Sequence, residues 1–293
     1  MLMTRRHFLT GTAALGGTTL AIGAYAGIVE PAFLLSVTEY RPTPPGWPSD
    51  FPLNIAVIAD PHAAEPYMGV RRIEEIVAAT NALNADLVVL LGDFEGNHRF
   101  VTSLVPSDTW APLWAQCKAP LGVYSILGNH DWWFHLPRIR RSIEKAGIPI
   151  LENDGVQLSH RGRKFWLLGL GDQLAYILGH RQFRGVDDLP KTLAKIDDDA
   201  PAILLAHEPD IFVKVPQRIS LTLAGHTHGG QVRLFGYSPI VPSSYGNRFA
   251  YGHIVEDDRH MIVSGGLGCS MLPVRFGVPP EIVLVRLGGM PAA

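Results

Sequence analysis

Two imidazoles two residues apart, followed by two glycines, stand at the end of an apolar run in "LTLAGHTHGGQVRL", residues 221–234. The same kind of delivery occurs repeatedly upstream. One apolar run closes on Asp60-Pro61-His62, another on Gly92-Asp93, a third on Gly128-Asn129-His130-Asp131 and a fourth on His207-Glu208, before the fifth presents His226 and His228. Taken singly, an Asp after a strand is a helix cap, an Asn a turn residue and a His a hydrogen-bonded structural residue. Their repetition in chain order sets Asp60, His62, Asp93, Asn129, His207, His226 and His228 apart from that reading. Imidazole, carboxylate and carboxamide donors without thiolate make a nitrogen and oxygen site suited to Mn, Fe, Zn or Co. The set is too large for one tetrahedral zinc and suits two adjacent divalent ions sharing one carboxylate. Two such ions bring four positive charges, of which two aspartates and a bridging hydroxide cancel three. The positive charge left over faces a pocket, which is the electrostatics of two-metal phosphoester hydrolysis.

The elements that must position these residues are legible as apolar runs and helical spacings. Residues 53–60, 86–93, 122–127, 200–210 and 218–225 read as buried strands, because they are continuous apolar segments of strand length. Between the first two, residues 69–84 space Val70, Ile73, Ile76, Val77 and Leu83 as one face of a helix. Further helices are predicted near 107–118, 137–146 and 190–197. Residues 155–172 read as a hairpin closed by the polar turn "RGRK", and the tail supplies strands near 251–256, 260–264 and 281–287. Alternating strands and helices followed by mostly strands predict an α/β layered domain. In such sheets the loops beyond the strand ends are where sites are built.

The ordered set D-P-H, G-D, G-N-H-D, A-H-E-P-D and G-H-T-H-G-G-Q resembles the calcineurin-like metallophosphoesterases over about 170 residues. The tail, with Phe249-Ala250-Tyr251-Gly252 and "GLGCSMLPVRFGVPPEI", is similar to the exported bacterial branch of that family. The resemblance implies a four-layer fold, a β-sandwich of two mixed sheets flanked by helices. It also implies roles: Asp60, His62 and His228 on a first metal, Asn129, His207 and His226 on a second, and Asp93 bridging them. A bridging hydroxide would attack phosphorus. His130 would stabilise the transition state or protonate the leaving oxygen, and Asp131 would orient His130. The implied activity is hydrolysis of phosphodiester or pyrophosphate bonds, with a phosphomonoesterase or a non-catalytic metal-binding envelope protein as alternatives. Gly225, Gly229 and Gly230 would let the backbone turn tightly beside the metals. The chain departs from the family pattern at Gly96, where an acidic residue is common, and at Ala59 and Pro61 around the first aspartate.

With 293 residues, 47% hydrophobic and 18% charged, the composition is globular, and a net charge of -2 with no long basic run excludes an obvious nucleic-acid binder. Cys117 and Cys269 form no C-x-x-C pair, so a thiolate metal knot is excluded and a single disulfide stays open. The opening "MLMTRRHFLTGTAALGGTTLAIGAYAGIVEP" places Arg5 and Arg6 before a mildly apolar stretch and resembles a twin-arginine export signal, with "AYA" at 24–26 as a cleavage candidate. Residues 1–37 are therefore expected to be that signal or an N-terminal membrane anchor. Residues 38–52, rich in proline, are expected to be a linker, and 53–293 the catalytic domain. The expected location is the periplasm or the outer face of the cytoplasmic membrane, after passage through the twin-arginine machinery. Candidate substrate contacts are His98, Arg181 and Arg184, the latter two in a mixed apolar and basic loop. Trp132 and Trp133 are read first as packing for the following helix and second as an apolar wall for substrate.

Overall fold

The computed structural model describes residues 17–96, 98–180 and 182–289. Two mixed sheets face each other. The first holds β1 (Ser36–Tyr40), β2 (Leu53–Ile58), β4 (Leu87–Leu90), β6 (Val123–Ser125) and β15 (Glu281–Leu287), in the order β1-β15-β2-β4-β6. The second holds β7 (Asp154–His160), β8 (Arg163–Gly169), β11 (Ala202–Leu205), β12 (Leu221–Ala224), β13 (Gly252–Glu256) and β14 (Arg259–Val263), in the order β13-β14-β12-β11-β8-β7. Two short antiparallel pairs lie outside them: β3 (Ala64–Glu65) with β5 (Ser103–Leu104), and the hairpin β9 (Tyr176–Gly179) with β10 (Gln182–Arg184).

Alternation along each strand explains the layers, because successive side chains point to opposite faces. Ile55 and Val57 of β2 meet Leu167, Ile203 and Leu223 of the other sheet in a core between the sheets. Ala56 and Ile58 turn the other way, onto the helices Val70–Ala82 and Ser107–Trp114 through Ile73, Ile76, Trp110 and Trp114. On the outer face of the second sheet, Leu168, Leu204 and Met261 pack under Phe212 and Phe249. The helix–sheet–sheet layering follows directly from which strands are apolar on both faces. Each large aliphatic side chain so buried contributes about 1.5–3 kcal/mol.

The strands β2, β4 and β6 run parallel to one another, and so do β8, β11, β12 and β14. All loops that follow the ligand-bearing strands therefore gather at one end of the sandwich.

Two expectations about the N-terminal part are corrected. The stretch 38–52 is built into the domain and does not act as a linker: β1 pairs in parallel with β15 from Ser36↔Glu281 to Tyr40↔Val285. Trp47 and Phe51 are buried, stacked 5.0 Å apart, with Trp47 Nε1 donating to the Phe51 carbonyl at 2.8 Å. Proline density signalled an extended backbone, and that backbone is used as an edge strand and core cover. The boundary at 37 also falls inside a strand. Residues 17–33 are helical and dock on the domain, where the Glu30 carboxylate accepts from Val278 N at 2.9 Å. The twin-arginine motif itself, Arg5 and Arg6, lies outside the described residues. Among the described residues no helix is long and apolar enough to cross a membrane. Cys117 and Cys269 are buried free thiols.

Candidate active site

Each ligand candidate sits a few residues past a strand end, and five of the seven stand on backbone in the left-handed region. Asp60, His62, Asp93, His226 and His228 all have positive φ, between 47° and 67°. That conformation costs non-glycine residues about 1–3 kcal/mol each, and clusters of it mark functional sites. The strain aims side chains from both sheets at one point. Asp60 accepts from His226 N at 2.9 and 3.0 Å, which ties the β2 loop to the β12 loop across the sandwich. Gly225 is required by crowding: a Cβ there would stand 2.7 Å from Asp60 Oδ2. Gly229 and Gly230 are themselves left-handed, with φ of +59° and +76°.

Two groups of donors result. In the first, His62 Nε2 faces His228 Nε2 at 3.0 Å, with Asp60 alongside. In the second, the Asn129 carboxamide oxygen lies 3.2 Å from His207 Nε2 and 2.9 Å from His226 Nδ1. Asp93 stands between them, its Oδ2 3.5 Å from His62 Nε2 and 3.4 Å from His207 Nε2. His207 Nδ1 is engaged with the Leu91 carbonyl at 2.7 Å, which aims Nε2 inward. The structure thus brings together all the side chains singled out as ligands.

The protonation pattern tests whether cations fit. Burial pushes the His62 imidazole down to about 3 and holds His226 and His228 below their ordinary values as well. These rings are neutral, the form that binds metal. Burial also lifts the Asp60 carboxyl to about 7, against the pull of His207. Burial opposes charge on Asp93 and His207 too, yet the surrounding imidazoles hold the Asp93 carboxyl well below the usual range, and Asp93 holds His207 protonated. Asp93 accepts from His130 N at 2.8 Å, and its charge otherwise leans on protonated His207, a role that a divalent cation can take over. His62 Nδ1 has no partner in the protein, and neutral imidazoles turn nitrogen toward nitrogen. The residues fit two nitrogen- and oxygen-liganded divalent ions.

His130 lies beside this centre, its ring 4.8 Å from His62 and 5.1 Å from Trp133, with a buried and unpartnered Nδ1. Burial lowers its pKa. Asp131 does not orient it, and that expectation is corrected. The Asp131 carboxylate accepts from the backbone N–H groups of Asp93, Phe94 and Gly128 at 2.9 Å each and of Glu95 at 3.3 Å. It clamps the loop that carries Asp93. Burial pushes its pKa up, but both oxygens are already taken by donors, so the carboxylate is the form the geometry holds.

Of the substrate-contact candidates, His98 is buried against Tyr67, 5.4 Å between rings, and shares no cluster with the ligands. Arg184 lies over the Tyr176 ring at 4.8 Å, on the exposed hairpin. Arg181 lies outside the described residues. Trp133 Nε1 donates to the Leu174 carbonyl, and its ring spans from His130 to a stack on Phe183 at 5.6 Å; Trp132 packs against the core on the helix side of the first sheet.

Three participants were not singled out as site residues from the sequence. Arg275 is fully buried; it donates to the carbonyls of Gly265, Gly268 and Val278, and its Nη2 lies 3.2 Å from His228 Nδ1. A lone arginine inside the apolar "MLPVRFGV" was the available hint. Asp172 and Glu208 form a buried carboxylate pair next to His207, each with one unpartnered oxygen. Burial, with Glu208 adding to it, lifts the Asp172 carboxyl well above its usual range.

The model of the calcineurin-like phosphoesterase family matches residues 53–230. The Bacillus subtilis (strain 168) protein named uncharacterized metallophosphoesterase YkuE is 31% identical over 299 residues, spanning 97% of this chain and 98% of its own. Phosphodiesterase YaeI of Escherichia coli (strain K12) is 27% identical over 296 residues, spanning 98% of this chain and 100% of its own. Among solved structures, the NAD nucleotidase NadN of Haemophilus influenzae is similar at a TM-score of 0.49 and 17% identity, covering 74% of this chain. This chain spans 51% of that nucleotidase's length.

Proposed function

The chain belongs to the calcineurin-like phosphoesterase family and is a metal-dependent phosphoric ester hydrolase, and from that premise we propose that it uses two divalent ions to hydrolyse phosphodiester or pyrophosphate bonds in the cell envelope. One observation carries the two-ion reading: a single carboxylate oxygen of Asp93 stands about equally far from His62 and His207, which belong to separate donor groups. Asp60, His62 and His228 would hold one ion, Asn129, His207 and His226 the other, with Asp93 shared. When bound, such a pair supplies Lewis acidity toward phosphoryl oxygens and lowers the pKa of water.

The chain's own groups supply the rest. Asp131 fixes the Asp93 loop, and the Leu91 carbonyl engages His207 Nδ1 so that Nε2 points into the site. Burial of the carboxylates and imidazoles excludes bulk water and strengthens every charge interaction in the site. His130, neutral and with a free ring nitrogen, presents an N–H to a phosphoryl or leaving oxygen, where proton transfer by a positioned imidazole acts. The Trp133–Phe183 stack offers an apolar wall to the organic group beyond the scissile bond. The diester preference is supported by similarity to the Escherichia coli protein named a phosphodiesterase. The envelope location is supported by the twin-arginine-like opening of the sequence.

The test uses metal-stripped protein on a chromogenic phosphodiester and the matching monoester, with Mn, Fe, Zn or Co added back in turn. Metal-restored diester cleavage, at two ions per chain, is the expected result. Monoester cleavage alone, or full activity with one ion, would overturn the reading.

A further inference from the structure

We propose that the end of the molecule carrying the metal centre is a docking face for an anionic phospholipid bilayer. The inference goes beyond the hydrolytic reading and does not depend on which bond is cut. Four loop segments frame that end: 98–104, 174–185, 231–247 and 268–278. None contains an Asp or Glu, in a chain with 27 acidic residues. Arg99, Arg184 and Arg233 lie on these loops and form no ion pair among the described residues. The acidic run 197–199 precedes β11 and so sits at the opposite end of the sandwich.

The tips of the same loops are apolar and face solvent. Phe235 is fully exposed, Met271 is 80% exposed, Ile240 79% and Phe100 62%, and Ile177 and Leu178 are each 59% exposed on the hairpin. Single exposed apolar residues are ordinary, but a group of them on loops that carry no acidic residue of their own marks an interaction surface, even with the Asp210 carboxylate held by Ser243 and Ser244 at the edge of one loop. The loops are joined to one another and to the site. Arg99 N donates to the Met271 carbonyl at 2.9 Å, and Arg233 N to the Phe276 carbonyl at 2.8 Å. The hairpin reaches His130 through Phe183 and Trp133.

The N-terminal helix identifies the occupant. Arg275 N donates to the Ala26 carbonyl, the Tyr67 hydroxyl to the Gly27 carbonyl, and Tyr25 packs edge-on against Phe276. The helix therefore joins the domain at this end, with Leu20, Ile22 and Ile28 turned outward. Its preceding residues carry Arg5, Arg6 and the start of the apolar stretch. A helix whose outward face is apolar, joined to loops with apolar tips and unpaired arginines, suits a surface that is apolar inside and negative outside. A second copy fits less well, since a two-fold contact would set arginine loops against arginine loops.

The experiment is co-sedimentation of the full chain with phosphatidylglycerol or phosphatidylcholine vesicles, comparing wild type with Phe235→Ser/Ile240→Ser and Ile177→Ser/Leu178→Ser. The melting temperature serves as the fold control. The wild type is expected to partition about tenfold more into phosphatidylglycerol and to lose that preference in high salt. Each double variant is expected to lose about tenfold or more. Cleavage of a soluble diester, followed on the same samples, reports the hydrolytic reading separately. Wild-type partition that both variants match would overturn the proposal, because the N-terminal segment would then suffice. So would failure of the wild type to sediment, or a wild-type dimer in lipid-free buffer that the substitutions split.

Discussion

Replacing Asp131 separates two accounts of the same residue. If its carboxylate served only to orient His130, Asp131→Ala would lower kcat and leave the fold and the metals untouched. The structure instead has it accept from Asp93, Phe94 and Gly128 at 2.9 Å and from Glu95 at 3.3 Å. A hydrogen bond to a charged group contributes about 1.5–3 kcal/mol, and a buried N–H left unpaired costs about 1–3 kcal/mol. Water entering the vacated space can serve one or two of these donors. With two left orphaned, the loss is about 2–6 kcal/mol, a large share of the ~5–15 kcal/mol that holds a domain together. At about 2–4 °C per kcal/mol for a chain of this size, a 4 kcal/mol loss lowers Tm by about 8–16 °C. Because the freed loop carries Asp93, metal affinity should fall about 10–100-fold as well. Asp131→Asn keeps one acceptor oxygen and should fall between. Thermal melting of the metal-free protein, with metal content by elemental analysis, reads both effects. An Asp131→Ala protein that melts and loads metal like the wild type but turns over slowly would refute the clamp and restore the His130 role.

Other perturbations follow from the same geometry. Asp93→Asn removes the shared carboxylate, so kcat/KM toward a diester should drop about 10²–10³-fold or more, and metal stoichiometry should fall below two per chain by elemental analysis. Gly96→Ala places a methyl onto His62 Nδ1; an overpacking cost of about 1–3 kcal/mol and loss of the His62 ion are expected, and a variant crystal structure with an unmoved His62 would contradict this. The pKa values of His62, His226 and His228 are all depressed by burial, so the folded state binds fewer protons than the unfolded chain. Stability resting on these neutral rings is complete above the ordinary value of 6.5 and is lost as pH falls toward the His62 value of about 3. Metal release should begin below about pH 6 in equilibrium dialysis, and full retention at pH 4 would count against imidazole ligation.

The sequence by itself determined most strands of the two large sheets, though not β1, the principal helices, and the donor residues that the fold brings together. Apolar runs such as 87–90 and 202–205 can be read without context, because burial on both faces leaves no polar position to confuse the period. The candidate ligands were legible because metal chemistry accepts few residue types, and parallel strands put each of them at the same point in its local pattern. Chain-distant contacts were decided only by the tertiary structure. The partners of Asp131 are backbone N–H groups, which carry no signature in the residue types around them. The buried place of Arg275 depends on carbonyls at Gly265, Gly268 and Val278 turning toward it, and the same run of residues would read as a surface loop without them. Residues 38–52 looked like a linker because proline marks extended chain, but whether extended chain is solvated or paired depends on a free sheet edge nearby. That edge is β15, more than two hundred residues further along the chain.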